Sequence, residues 1–60
     1  MTTEEYMKAT KPAVDFLMDI YPISAIRAQA EGDTAYLIEM LEDVVKEAQK
    51  HIDNLKSMEE

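Results

Sequence analysis

Apolar residues between positions 34 and 58 recur with the spacing of an amphipathic helix. At about 100° per residue they fall within one arc of roughly 160°, and polar side chains fill the rest of the circumference. The apolar members are Leu37, Ile38, Met40, Leu41, Val44, Val45, Ala48, Ile52, Leu55 and Met58. A helix in a two-stranded coiled coil needs a narrower stripe than this one. The pattern therefore predicts a second apolar neighbour, from the same chain or from another.

The first third of the chain repeats the amphipathic pattern over an apolar arc of roughly 200°. Thr2 and Glu5 stand at the spacing of a capping box, which marks a helix start. Pro12 lies inside the run, where a proline normally breaks or kinks a helix, yet the apolar stripe keeps its phase on both sides. We therefore predict a helix over about 3–21 that bends at Pro12, with a new helix beginning at Pro12 as the alternative.

Two prolines and one glycine mark the connections between the predicted helices. Pro22 ends the first helix, because the residue before a proline is pushed out of the α region, and it can open a short helix over about 22–31. That short helix carries Ile23, Ile26 and Ala30 on one side. Gly32 is placed to end it in a left-handed conformation, and Asp33 to cap a final helix over about 34–57.

The predicted fold is all-α, because no run of alternating β-branched residues indicates a strand. The sequence favours one domain over residues 1–60, built as a helical hairpin. Its two long helices would lie antiparallel along most of their length, joined by the short helix. Breaks are expected near Tyr21-Pro22 and Gly32-Asp33, with more than about two thirds of the chain helical.

The charge of the chain narrows its possible partners. Six basic and thirteen acidic side chains give a net charge of −7, and the basic residues are scattered along the sequence. Direct nucleic-acid binding and adsorption to anionic membranes both need a basic face, so neither is expected. No stretch is long and apolar enough for a membrane span, and the N-terminus lacks the pattern of a signal peptide, which favours a cytoplasmic protein.

Candidate chemistry is sparse, and no cofactor, metal site or catalytic activity is expected. The chain has no cysteine, and its one glycine cannot form a phosphate-binding loop. The sole histidine, His51, lies one turn after Glu47, a spacing that fits a local ion pair near the helix C-terminus better than a metal site. The acidic pairs on the last helix are expected on its solvated face, where nothing excludes water from their carboxylates.

A protein that acts by binding another protein, as an adaptor, regulator or inhibitor, is the function that the pattern favours. Two arcs this wide cannot shield each other fully, so we expect a homodimer with a four-helix core. The predicted interface comprises Phe16, Leu17, Ile20, Leu41, Val45 and Ile52. The alternative is an acidic decoy that mimics nucleic acid and blocks a basic site on a DNA- or RNA-binding enzyme. Its predicted face comprises Asp15, Asp19, Glu39, Asp43 and Glu47.

Overall fold

The computed structural model describes residues 1–59 and confirms an all-helical fold across them. Helix α1 spans Thr3–Met18, α2 spans Pro22–Glu31 and α3 spans Thr34–Met58. These helices account for 86% of the described residues, in line with the predicted content. Glu60, the last residue of the predicted domain, lies outside the described part. Association of two chains into a four-helix bundle stays a prediction.

Local capping chemistry begins and ends these helices largely as predicted. The Oγ1 atom of Thr2 accepts a hydrogen bond from the Glu5 amide, and the Glu5 carboxylate accepts one from the Thr2 amide, both at 3.1 Å. Pro22 opens α2, and Gly32 ends it with φ of 68° and ψ of 27°. The Asp33 carboxylate then caps α3 by accepting from the Tyr36 amide at 3.0 Å.

Helix α1 runs through Pro12 without interruption, so the continuous helix is confirmed and a new start at Pro12 is not. The prediction that α1 extends to residue 21 is wrong, because it ends at Met18. The amides of Ile20 and Tyr21 both donate to the Leu17 carbonyl, at 2.9 and 2.7 Å, and so close a turn. Pro22 restricts Tyr21 to a non-helical conformation, and the reversal into α2 occupies the residues just before it.

The three helices run up, down and up, so the predicted antiparallel pairing of α1 with α3 is wrong. Gln29, late in α2, donates through Nε2 to Thr10 Oγ1 midway along α1 at 3.0 Å and to the Met7 carbonyl nearer its start, which makes α1 and α2 antiparallel. Tyr6 and Thr34, in the first turns of α1 and α3, share a hydrogen bond of 2.9 Å between their hydroxyls. Helices α1 and α3 therefore start side by side and run in the same direction.

A small core lies between the helices. Each helix contributes two buried residues, and these are Val14, Leu17, Ala25, Ala28, Leu37 and Met40. Helix α2 turns Ala25 and Ala28 inward, while its larger apolar residues Ile23 and Ile26 face outward, with Ile23 76% exposed. The bundle measures 52 × 18 × 17 Å, because α3 is about 37 Å long against about 24 Å for α1.

Candidate interaction surface

The C-terminal half of α3 extends past the other two helices. Leu41 and Val44 are its last residues packed against the core, and every described residue from Val45 onward is exposed. We call residues 45–58 of α3 the overhang; at 1.5 Å per residue it is about 21 Å long. The overhang presents one whole helix face without a partner from the same chain.

The bare apolar face of the overhang is in line with the face that the first half of α3 packs against the core. We call this continuous row of residues the seam. Its members are spaced alternately four and three residues apart, which is the heptad pattern of a helix that packs against another helix. The seam comprises Leu37, Leu41, Val44, Ala48, His51, Leu55 and Met58. Leu37 is buried and Leu41 and Val44 are half-buried, whereas Leu55 is 63% exposed and Met58 is also exposed. The same surface is therefore core in one half of α3 and bare in the other.

A second apolar seam flanks the first, with its members seven residues apart. Ile38, Val45 and Ile52 form it, and Val45 is 67% exposed. Around α3 these residues lie within about 40° of Thr34, whose hydroxyl meets Tyr6 of α1. The second seam therefore lies in line with the edge of α3 that meets α1, and even its first member, Ile38, is 52% exposed.

The structure separates the six predicted interface residues into two groups. Phe16, Ile20, Val45 and Ile52 are exposed. Leu17 is fully buried in the core of its own chain and cannot serve as interface, and the half-buried Leu41 packs against that core. The prediction groups Leu17 with the spare residues because it treats α2 as too short to cover them, whereas Ala25 and Ala28 let α2 pack closely against α1.

The predicted acidic face is not one surface. Asp15 lies nine residues after Tyr6, which places it about 180° around α1 from the side that meets α3. It forms an ion pair with Lys11 at 2.8 Å, and Asp19 forms the C-cap of α1. Because α1 turns these carboxylates away from α3, they do not join Glu39, Asp43 and Glu47.

Polar chemistry among the described residues is local and exposed. The Nε2 atom of His51 lies 3.7 Å from Glu47 Oε1, as expected for an ion pair within one helix, and both side chains are mostly exposed. No group of side chains with metal-ligand spacing occurs in residues 1–59. The pKa of Glu5 is lowered because the backbone amide and the hydroxyl of Thr2 hydrogen-bond its carboxylate.

The concave features of the bundle are open. One of them, a groove of about 410 Å³ between α1 and α2, is lined by Met7, Lys11, Val14 and Gln29 among others. Gln29 reaches across its floor to the Met7 carbonyl at 3.3 Å, so its amide is engaged in holding the helices together. This groove and the ion pairs of the described residues are open to water, so none of them shields a reactive group from solvent. Among residues 1–59 no helix combines the length and apolarity that crossing a membrane requires.

Sequence reasoning placed Leu55 and Met58 on the apolar arc of α3 but left them out of the predicted interface, and it also left out Ile23. The sequence signal for Leu55 and Met58 is the alternating spacing of four and three residues along the seam. It continues to the end of α3, beyond the level at which α1 and α2 can cover it. For Ile23 the signal was weaker, since only packing shows which side of a short helix is covered. The function of the chain has to be inferred from these surfaces, because no protein-family model, no curated protein and no solved structure matches it.

Proposed function

We propose that this chain is a non-catalytic helical protein that acts by binding proteins through the apolar surface it leaves uncovered. Its first partner would be a second copy of itself, and the assembly would act as an adaptor, regulator or inhibitor of another protein. The single observation that carries this proposal is the bare half of α3, where a seam in phase with the core has no cover.

The size of the bare apolar surface on the overhang favours a surface that binds a partner over one that stays in contact with water. Soluble monomers rarely keep a contiguous apolar patch of more than a few hundred Å² in contact with water. Here Val45, Ile52, Leu55 and Met58 are exposed within about 21 Å of one helix. Burying such side chains against a partner contributes about 1.5–3 kcal/mol each before the costs of association. A partner that covers this face therefore has a large driving force.

Sedimentation equilibrium at micromolar concentration tests the first part of the proposal. The expected result is a mass above that of one chain, which is 6.9 kDa, falling toward it on dilution. A monomer mass with full helicity at all concentrations would refute self-association. The apolar surface would then be assigned to a different protein alone.

Affinity purification from the native cell tests the second part, with two charge variants of matched size. Val45→Glu places a carboxylate on the second seam, within the bare apolar surface, whereas Lys46→Gln makes the same change in net charge on the solvated side of the same helix. Both residues are exposed, so neither change touches the core. Partners that bind the apolar surface should be lost from Val45→Glu and kept by Lys46→Gln; equal recovery with both would contradict the proposal.

Salt separates this proposal from the acidic decoy. Apolar docking should persist at about 0.5 M salt, where the Debye length is only a few Å. Binding of a basic site by carboxylates should weaken steeply over the same range. Complete loss of partner binding in high salt, with no effect of Val45→Glu, would favour the decoy.

A further inference from the structure

We infer that a second copy of this chain covers the overhang, and that the two overhangs pack antiparallel about a two-fold axis near residue 53. This inference rests on the proposed function and adds to it the surface, the register and the relative direction of the two chains. Three features of the described chain lead to it: the seam, the charge of the overhang and the length of the overhang.

The seam is built to meet another helix. Its alternating spacing of four and three continues without a change of phase from Val44, which is partly covered by the core, to Met58, which is not. Such a heptad seam fits the ridges of a helix of the same kind. A second overhang offers the same seam, as a two-fold interface requires.

Charge favours the overhang over the body of the bundle as the place where two copies meet. Residues 1–44 carry nine acidic and three basic side chains, so two such bodies repel each other. The overhang, residues 45–58, carries two acidic and three basic side chains, a net charge of only +1. Its charged members are Lys46, Glu47, Lys50, Asp53 and Lys56. Two overhangs therefore repel each other far less than two acidic bodies do.

An antiparallel arrangement best satisfies these constraints. It points the two acidic bodies in opposite directions, whereas a parallel pair would place them side by side. One register uses all four bare seam positions: Ala48 opposite Met58 of the second copy, and His51 opposite its Leu55. In that register the tip of each overhang reaches the point where the other bundle ends. It also brings the Ile52 side chains of both copies beside the two-fold axis.

Sedimentation equilibrium of three charge variants tests the surface: Leu55→Glu, Lys46→Gln and Ile23→Glu. Leu55→Glu should raise the dissociation constant at least about 100-fold, because each dimer loses two buried leucines. Lys46→Gln makes the same change in net charge on the solvated face and should leave the constant within a few-fold of the parent. Ile23→Glu makes that change on the outer side of α2 and should do the same. Leu55 lies outside the core, so circular dichroism should show the bundle still folded in each variant.

The direction of packing is tested by disulfide formation between single-cysteine chains. A mixture of the Ala48→Cys and Met58→Cys chains should form the mixed disulfide in high yield, and neither chain should link efficiently to itself. Each chain carries a single cysteine, so any disulfide between protein chains joins two copies. Efficient self-linking of Ala48→Cys alone would show parallel packing and overturn the antiparallel pair.

His51 supplies an independent test, because the register places a polar ring in an inner layer of the interface. His51→Leu should lower the dissociation constant by about tenfold or more, since a polar group at a seam position weakens such a pair. Lys50→Leu, on the solvated face one residue earlier, should change it little. Equal effects of the two substitutions would contradict the inference.

The outcomes separate the two levels of the proposal. Dissociation by Ile23→Glu with a dimer retained by Leu55→Glu would move the interface to the outer side of α2. That result would overturn the overhang pairing but leave self-association intact. A parent chain that is monomeric at every concentration would overturn both.

Discussion

Substitution of Gly32 directly tests the turn between α2 and α3, because the backbone conformation of Gly32 is favourable for D-alanine and unfavourable for L-alanine. Its φ of 68° lies in the left-handed region, and a Cβ atom added there meets no other atom within 4 Å. An L-residue in this region is disfavoured by roughly 1–2 kcal/mol from its own backbone sterics. Any alanine also restricts the unfolded chain, which stabilises the folded state by about 0.4–1 kcal/mol.

These two contributions predict opposite signs for the two enantiomers. L-alanine at position 32 should lower the free energy of unfolding by about 1 kcal/mol, because the backbone strain exceeds the unfolded-state gain. D-alanine meets no strain at positive φ and should raise it by about 0.4–1 kcal/mol. In a domain of this size, 1 kcal/mol corresponds to roughly 4–8 °C in Tm. The difference between the enantiomers is independent of the unfolded chain, whose entropy is the same for both.

The chain is short enough for chemical synthesis, so all three versions can be made and unfolded in urea at one fixed concentration. Circular dichroism at the helix band follows the transition, and a common m-value would show that the unfolded states are comparable. If L-alanine stabilises the protein as much as D-alanine does, Gly32 is not left-handed and the turn described above is wrong.

Four further changes have expected outcomes. Leu17→Ala should destabilise by about 3 kcal/mol, a large part of the total for so small a domain, and thermal melting would show it. Asp33→Ala removes the cap of α3 and should lower stability by about 1 kcal/mol in urea unfolding. Pro12→Ala restores the hydrogen bond that the Lys8 carbonyl lacks within α1 and should raise Tm; a fall would indicate a break at Pro12. The lowered pKa of Glu5 means that its stabilising contribution is present above about pH 4.3 and lost as the pH falls through the lowered value. NMR titration of its carboxyl should therefore give a midpoint below that of unperturbed glutamate, and a midpoint at or above it would exclude the capping box.

Helix boundaries could be predicted from the sequence where their chemistry is local. Thr2 with Glu5, Pro22, Gly32 and Asp33 each act within about one turn, so reading a few neighbouring residues is sufficient. The end of α1 was placed three residues late because the turn before Pro22 depends on the reversal of the chain into α2.

The arrangement of the helices could not be predicted because it depends on small residues. Hydrophobicity points to Ile23 and Ile26 as the inward side of α2, but Ala25 and Ala28 lie inside. Alanine has no long side chain, so it lets α2 lie close to both neighbours, and its value there comes from fit rather than from apolar area. Once α2 fills the space between α1 and α3, Leu17 becomes core and the bare surface moves to the far half of α3.

The extension of α3 beyond its neighbours also bears on how the chain orders itself. A free helix of about 14 residues is marginal in water, mainly because forming the first turn is unfavourable. The overhang avoids that step, since residues 34–44 are anchored by Leu37 and Met40 and act as a nucleus from which helix propagates. Protection of amide hydrogens from exchange should accordingly fall from Val44 toward Met58 within a single helix. A partner that docks there has only to extend a helix already started in the right phase, so less conformational entropy opposes binding than for a disordered segment.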